Sequence, residues 1–206
     1  MRLRIRSLFQ LVSIVVLSST GFGQETPVTF SQPAESLFQR SLARYIQANF
    51  IAARAGFTEL VEELPPNQRT SAARLMLGKS YYKLREYNLA LAAAIELYET
   101  FPYSRYLPEA DLLIGDCYFH QGQVYSAATQ YARVLTAKAS IRLKARAADR
   151  LGQMSGAGRL TDRDIDRLRG DFGRQIIDEA LTFGKARWPE KLGRPADSEK
   201  PLARFL

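Results

Sequence analysis

Three glycines, each preceded by Leu or Ile, fall on one interval: Leu77-Gly78, Ile114-Gly115 and Leu151-Gly152 stand 37 residues apart. Other residues keep the same beat. Ala73, Ala110 and Ala147 precede the glycines by five, and Ala53, Ala90 and Ala127 also recur at 37. Phe50 and Tyr87, with Val124 next in line, mark it too, as do Pro65 and Pro102. A period between about 20 and 50 residues signals a stacked repeat architecture. In such an architecture each unit buries its apolar face only against its neighbours. This constrains function as well as fold, because stacked repeats present binding surfaces far more often than they perform chemistry.

Between the markers the apolar pattern is helical. Leu37, Phe38, Leu42, Tyr45 and Ile46 share one stripe at three- and four-residue steps, and Phe50, Ala53, Phe57, Leu60 and Val61 another. Pro65-Pro66 ends the second helix, since proline disfavours helix in the residue before it. Further helices are predicted over 71–84, 87–101, 108–121, 124–137 and 140–154, with Gly122 turning the chain and Pro108 in a first helical turn. A last helical region over 161–185 carries Gly170 and Gly173 as candidate break points. Residues 24–34 read as a flexible lead-in, and 187–206 as an irregular basic tail.

These positions resemble the tetratricopeptide repeat. Its first helix bears Leu-Gly and then Tyr; its second bears Ala, further aromatic or apolar residues and a closing Pro. One unit here supplies Leu77, Gly78, Tyr81, Tyr87, Ala90, Leu97 and Pro102. The next supplies Ile114, Gly115, Tyr118, Gly122, Ala127, Tyr131 and Val134. Arg74, Ala94, Ser41 and Ala139 depart from the pattern, and the fourth unit keeps only a first helix with Gly152. The interval is 37, against the usual ~34 of the family. The linker Phe101-Pro102-Tyr103-Ser104-Arg105-Tyr106-Leu107-Pro108-Glu109-Ala110 is similar to that of exported envelope repeat proteins of the BamD and CpoB kind. The resemblance implies an all-α, right-handed superhelical solenoid over residues 35–154, with about three helix hairpins, 140–154 as a capping helix and an extra helical region over 155–186.

The first 23 residues read as a secretory signal. Arg2, Arg4 and Arg6 precede an apolar stretch from Leu8 to Leu17, and Gly21-Phe22-Gly23 offers a cleavage site. The expected product is exported and periplasmic, and with no cysteine near the cleavage point it is not a lipoprotein. Its one cysteine, Cys117, excludes an intrachain disulfide. The formal charge of +8 is unevenly spread. Residues 24–140 balance 11 basic against 11 acidic side chains, while 141–206 carry 15 against 10. Without a dense Lys/Arg run or a nucleic-acid motif, this excess argues against nucleic acid as a partner. It suits contact with an anionic lipid, cell-wall polymer or protein.

Little in the sequence points to chemistry. Cys117 and His120 are close enough on one helix to raise a nucleophile pair or an envelope hydrolase. The simpler reading makes Cys117 a small buried hydrophobe and His120 a groove residue beside Asp116. Asp162, Asp164 and Asp166 lack the glycine and distal glutamate of a calcium loop and read as a favourable helix start. No metal site and no cofactor are expected. The resemblance instead implies a groove lined by the first helix of each repeat: Phe38, Leu42 and Tyr45; Leu75, Lys79, Tyr82 and Lys83; Leu112, Asp116, Phe119 and His120. Aromatics mixed with charges suit an extended or helical peptide, and they do not match the Lys/Asn clamp used for a chaperone's terminal carboxylate. The expectation is a non-enzymatic protein-binding scaffold of the bacterial cell envelope. The alternative is the repeat arm of a longer envelope protein.

Overall fold

The computed structural model describes residues 29–191, with side chains through residue 186. The expected signal peptide, residues 24–28 of the lead-in and residues 192–206 lie outside the described residues. Nine α-helices make up the described chain: α1 Gln32–Ile46, α2 Phe50–Glu62, α3 Thr70–Lys83, α4 Tyr87–Thr100, α5 Leu107–His120, α6 Val124–Thr136, α7 Ile141–Gly156, α8 Asp162–Phe172 and α9 Arg174–Lys191. The only pairing of extended backbone among them is an isolated bridge between Thr29 and Asn67. Among the described residues no helix is long and apolar enough to cross a membrane.

From α1 to α7 each helix packs on its successor, so the chain folds as a row of neighbours. In addition α1 touches α3, α3 touches α5, and α5 touches α7, without comparable contact between α2 and α4 or α4 and α6. The odd-numbered helices therefore sit closer together than the even-numbered ones, and the row curves around them. Three buried clusters follow the same order: α1–α3, then α3–α5, then α5 onward. Tyr81 packs against both the first and the second, and Tyr118 against both the second and the third.

The beat of 37 has two physical roots. One is the turn within each helix pair. Ala48, Arg85 and Gly122 recur at 37 and all adopt positive φ. Each turn closes with the same two bonds, Ala48 N to Tyr45 O, Arg85 N to Tyr82 O and Gly122 N to Phe119 O, then Asn49, Glu86 and Gln123 N to Arg44, Tyr81 and Tyr118 O. That six-to-one closure satisfies helix-end carbonyls that would otherwise lack partners. Only one of the three turns has the glycine that makes this conformation free of strain.

The other root is the helix crossing. A Cβ on Gly115 would lie 2.6 Å from the Tyr131 ring, and one on Gly78 would lie 3.0 Å from Leu113 and 3.4 Å from the Ala90 carbonyl. In the first pair the small residue has changed sides: Ser41 occupies the position and Gly56 of α2 faces it, a Cβ there falling 2.1 Å from the Ser41 hydroxyl. Arg74, which departs from the repeat pattern, is buried and pairs with Glu96 of α4.

Three expectations change. Residues 32–34 are helical, because Ser31 caps α1 by accepting from Ala34 N and Pro33 is tolerated in the first turn. Residues 187–191 continue α9 rather than starting the irregular tail. Most consequential, α7 is not a terminal cap, since α9 packs on it extensively. Gly152 and Gly184 meet at their backbones, a Cβ on Gly152 falling 2.2 Å from Gly184 Cα. Thus α7 and α9 form a fourth pair, with α8 inserted between them in sequence. Gly173, at φ 97°, supplies the break; Gly170 stays inside α8. The acidic run opens α8 through a reciprocal cap, with Asp164 accepting from Thr161 N and Oγ1 while Thr161 Oγ1 accepts from Asp164 N.

Candidate functional site on the inner face

Because α3 and α5 are flanked by helices on both sides, little of their surface stays open. Eight consecutive residues of α5, Ala110–Cys117, are buried. Leu75 and Leu112 are each 2% exposed and belong to the core, as does Phe38. These three do not line a groove, contrary to the sequence expectation. A helix enclosed by neighbours keeps only a narrow stripe for solvent. Leu42 is half-buried against the first cluster, and Tyr45 stands edge-on to Phe50 at 5.3 Å between ring centres. Lys83 is exposed at the end of α3.

What remains open on α3, α5 and α7 is a connected polar and aromatic strip. Lys79 Nζ donates to Glu109 Oε1 at 2.6 Å, tying α3 to α5. The Tyr45 phenol is raised above the ordinary range by burial, then modulated by the charges of Arg146 and Glu109. One turn further, Tyr82 and His120 are joined by a hydrogen bond of 3.0 Å between the hydroxyl and Nε2. The imidazole lies flat on Tyr87, with ring centres 4.8 Å apart and planes 3° from parallel, and meets Phe119 edge-on at 6.0 Å. Burial pushes the Tyr82 phenol up to about 12, helped by the negative charge of Asp116, so it stays a donor at neutral pH.

Asp116 is buried and fully engaged. Tyr131 Oη donates to its Oδ1 at 2.8 Å, and Arg150 Nε of α7 approaches the same oxygen at 3.1 Å. Burial, then Asp116, raises the Tyr131 phenol well above its usual range. Asp116 thus ties α5 to Tyr131 of α6 and Arg150 of α7 beneath the strip. Beside it a cavity of about 130 Å³ opens between α5, α7 and the turn after α7. Tyr131 and Met154 form its buried floor, Phe119 and Ala157 its walls, and Arg150, Gln153 and Arg159 its more open side. Arg159 lies over the Phe119 ring at 5.0 Å.

The Cys117–His120 pairing does not form a nucleophilic site. Cys117 is fully buried, its thiol is pushed up to about 12 by burial and then by Asp116, and His120 turns toward the tyrosines. Nucleophilic cysteines require the opposite, a depressed pKa and access. Among the described residues no group of three or more His, Cys, Asp and Glu could hold a metal ion.

Sequence reasoning missed Tyr87, Glu109, Arg150, Gln153 and Arg159. The beat contained two of them: Phe50 continues at 37 to Tyr87, and Leu42, Lys79 and Asp116 continue to Gln153. No family model, no curated protein and no solved structure matches this chain.

Proposed function

We propose that this chain is an exported, non-enzymatic adaptor of the bacterial cell envelope, built as a tetratricopeptide-type solenoid that holds a protein segment along its inner face. The observation that carries this reading is the convergence of Tyr82, Phe119 and His120 from two successive odd-numbered helices onto one strip, flanked by the Lys79–Glu109 and Arg150–Asp116 pairs. The rings are positioned before any partner arrives: His120 is stacked on Tyr87 and hydrogen-bonded to Tyr82. Ordering them on binding therefore costs little entropy. Tyr and Arg dominate protein-binding energetics when they sit in well-packed surroundings. The charge pairs fix register along the strip more than they add affinity.

The reading is tested by capture from envelope extract on the mature chain and on a Tyr82→Ala, Phe119→Ala variant of equal thermal stability. Two aromatic anchors of ordinary strength contribute enough that their loss lowers partner affinity at least about 30-fold. Recovery of the same partners in the same amounts by both proteins refutes the reading.

A further inference from the structure

One position of the odd-numbered helices recurs at 37 without keeping its chemistry: Leu37, Arg74, Asp111 and Ala148. All four are buried. The two central ones carry charge, and each is answered 22 residues on by the even-numbered helix of its own pair. Arg74 Nη1 of α3 pairs with Glu96 of α4, and Asp111 Oδ1 of α5 lies 3.8 Å from Arg133 Nε of α6. Glu96 and Arg133 are themselves 37 apart. In both pairs the odd-helix charge is buried and the even-helix charge half-exposed. Successive hairpins thus hold an ion pair at the same two positions, with the charges exchanged. In the first hairpin these positions hold Leu37 and the exposed Glu59, and in the fourth α7 presents Ala148.

Stability does not account for the exchange. Leu37 and Ala148 show that the position accepts an apolar side chain, and a charge buried there brings a desolvation cost that pairing offsets only in part. Arg74 Nε is buried and makes no hydrogen bond, and neither does Asp111 Oδ1. Burial raises the Asp111 carboxyl, while Tyr98 and Arg133 favour its ionised form. The best-attested use of such groups is to set register. This chain has a register to set. Its central hairpins share Gly78 and Gly115, Tyr81 and Tyr118, and Ala90 and Ala127, and α2 packs on α3 as extensively as on α1. Neither the repeat nor the extent of packing tells one helix which neighbour completes its hairpin. Misassembly between similar units is a characteristic failure of repeat proteins.

We infer that the reversed polarity selects the helix pairing as the chain folds: α3 accepts α4 and rejects α6, while α5 accepts α6 and rejects α4 as its hairpin partner. With α6 in the place of α4, Arg74 would meet Arg133. With α4 in the place of α6, Asp111 would meet Glu96. Either arrangement buries a charge without its counter-charge and beside a like one. That cost suppresses a wrong pairing on the order of 100-fold. Discrimination of this kind rests on the repulsive element as much as on the attractive one. Two hairpins of the same polarity would tolerate both wrong pairings.

The test exchanges charges in the full chain. Arg74→Asp with Glu96→Arg gives α3–α4 the polarity of α5–α6, and Asp111→Arg with Arg133→Glu does the reverse. Each double variant keeps both ion pairs complementary but makes their polarities the same. All four substitutions together make them opposite again. The chains are refolded from urea over a range of concentrations, and native monomer is isolated by size exclusion and identified by its thermal transition. Recovery is expected to fall at least about threefold for either double variant and to return to the parent's for the quadruple variant. Parent-like recovery from either double variant overturns the inference. So does a quadruple variant that recovers no better than the doubles, because the loss then comes from altered burial at single sites. Where a double variant yields no native monomer the quadruple variant decides, its recovery supporting the inference and its failure overturning it.

Discussion

Adding one methyl group at Gly152 and one at Gly170 should change stability in opposite directions. At Gly152 the new Cβ would fall 2.2 Å from Gly184 Cα, 2.4 Å from Gly184 C and 2.7 Å from Lys185 N. All three are backbone atoms of α9, so no rotamer change relieves the clash. Carbon atoms settle about 3.5–4.0 Å apart, so α7 and α9 must separate by on the order of 1 Å or more. Their contact forms part of the cluster holding Leu151, Ile177 and Ala180, each completely buried. Overpacking of that kind costs about 1–3 kcal/mol, of which the better helix propensity of Ala returns at most about 1. At Gly170, inside α8, a Cβ meets nothing within 4 Å. Only the propensity gain of about 0.5–1 kcal/mol applies there. For a chain of this size each kcal/mol moves Tm by roughly 2–4 °C. Calorimetry or thermal circular dichroism should show Gly152→Ala several degrees below the parent and Gly170→Ala slightly above it. A Gly152→Ala protein as stable as the parent would refute the close α7–α9 crossing, and with it the fourth helix pair.

The turns make a related prediction. Ala48→Gly and Arg85→Gly should each stabilise by about 1 kcal/mol, because both residues hold positive φ without being glycine, whereas Gly122→Ala should destabilise by a similar amount; chemical denaturation measures all three. Tyr131→Phe keeps the ring that fills the crossing at Gly115 but removes the bond to Asp116, and should cost about 1–3 kcal/mol in the same assay. Acid should act through Glu35, whose carboxyl is held down at about 2 by hydrogen bonds from Arg69 and then Gln39. A depressed acid contributes stability above its unfolded value of 4.5, lost as pH falls toward about 2. Glu35→Gln should therefore flatten the decline of Tm across that window, and an unchanged pH profile would contradict the assignment.

The fold was legible in the sequence wherever one short-range pattern decided it. Pro65-Pro66, Pro108 and Gly122 marked helix ends that the structure places within a residue or two. The close crossings at Gly78 and Gly115 were signalled by the glycines themselves. The partner of α7 was not, because the eleven residues of α8 intervene and carry Gly184 off the beat. A trace existed in the matched spacing of Ala148 and Gly152 on α7 and Ala180 and Gly184 on α9, two small residues one turn apart on each helix. The groove was legible only in part. Tyr82, Phe119 and His120 do come together, whereas Phe38, Leu75 and Leu112 are core residues. A single helix has one apolar stripe, but a helix within a row has two buried flanks, and periodicity alone does not reveal how much surface the second flank removes. Asp116 looked like a groove charge because the burial around it comes from α6 and α7, distant in sequence.

The adaptor account stands or falls on which side of the curved row a partner touches. Photocrosslinking in cells measures this directly, with p-benzoylphenylalanine replacing either Lys83, exposed at the end of α3 beside the strip, or Leu89, half-exposed on α4. The account predicts a discrete adduct from position 83, lost when Tyr82 and Phe119 are changed to Ala, and none from position 89. An adduct from position 89 alone, or adducts at 83 that persist in the double variant, would contradict it.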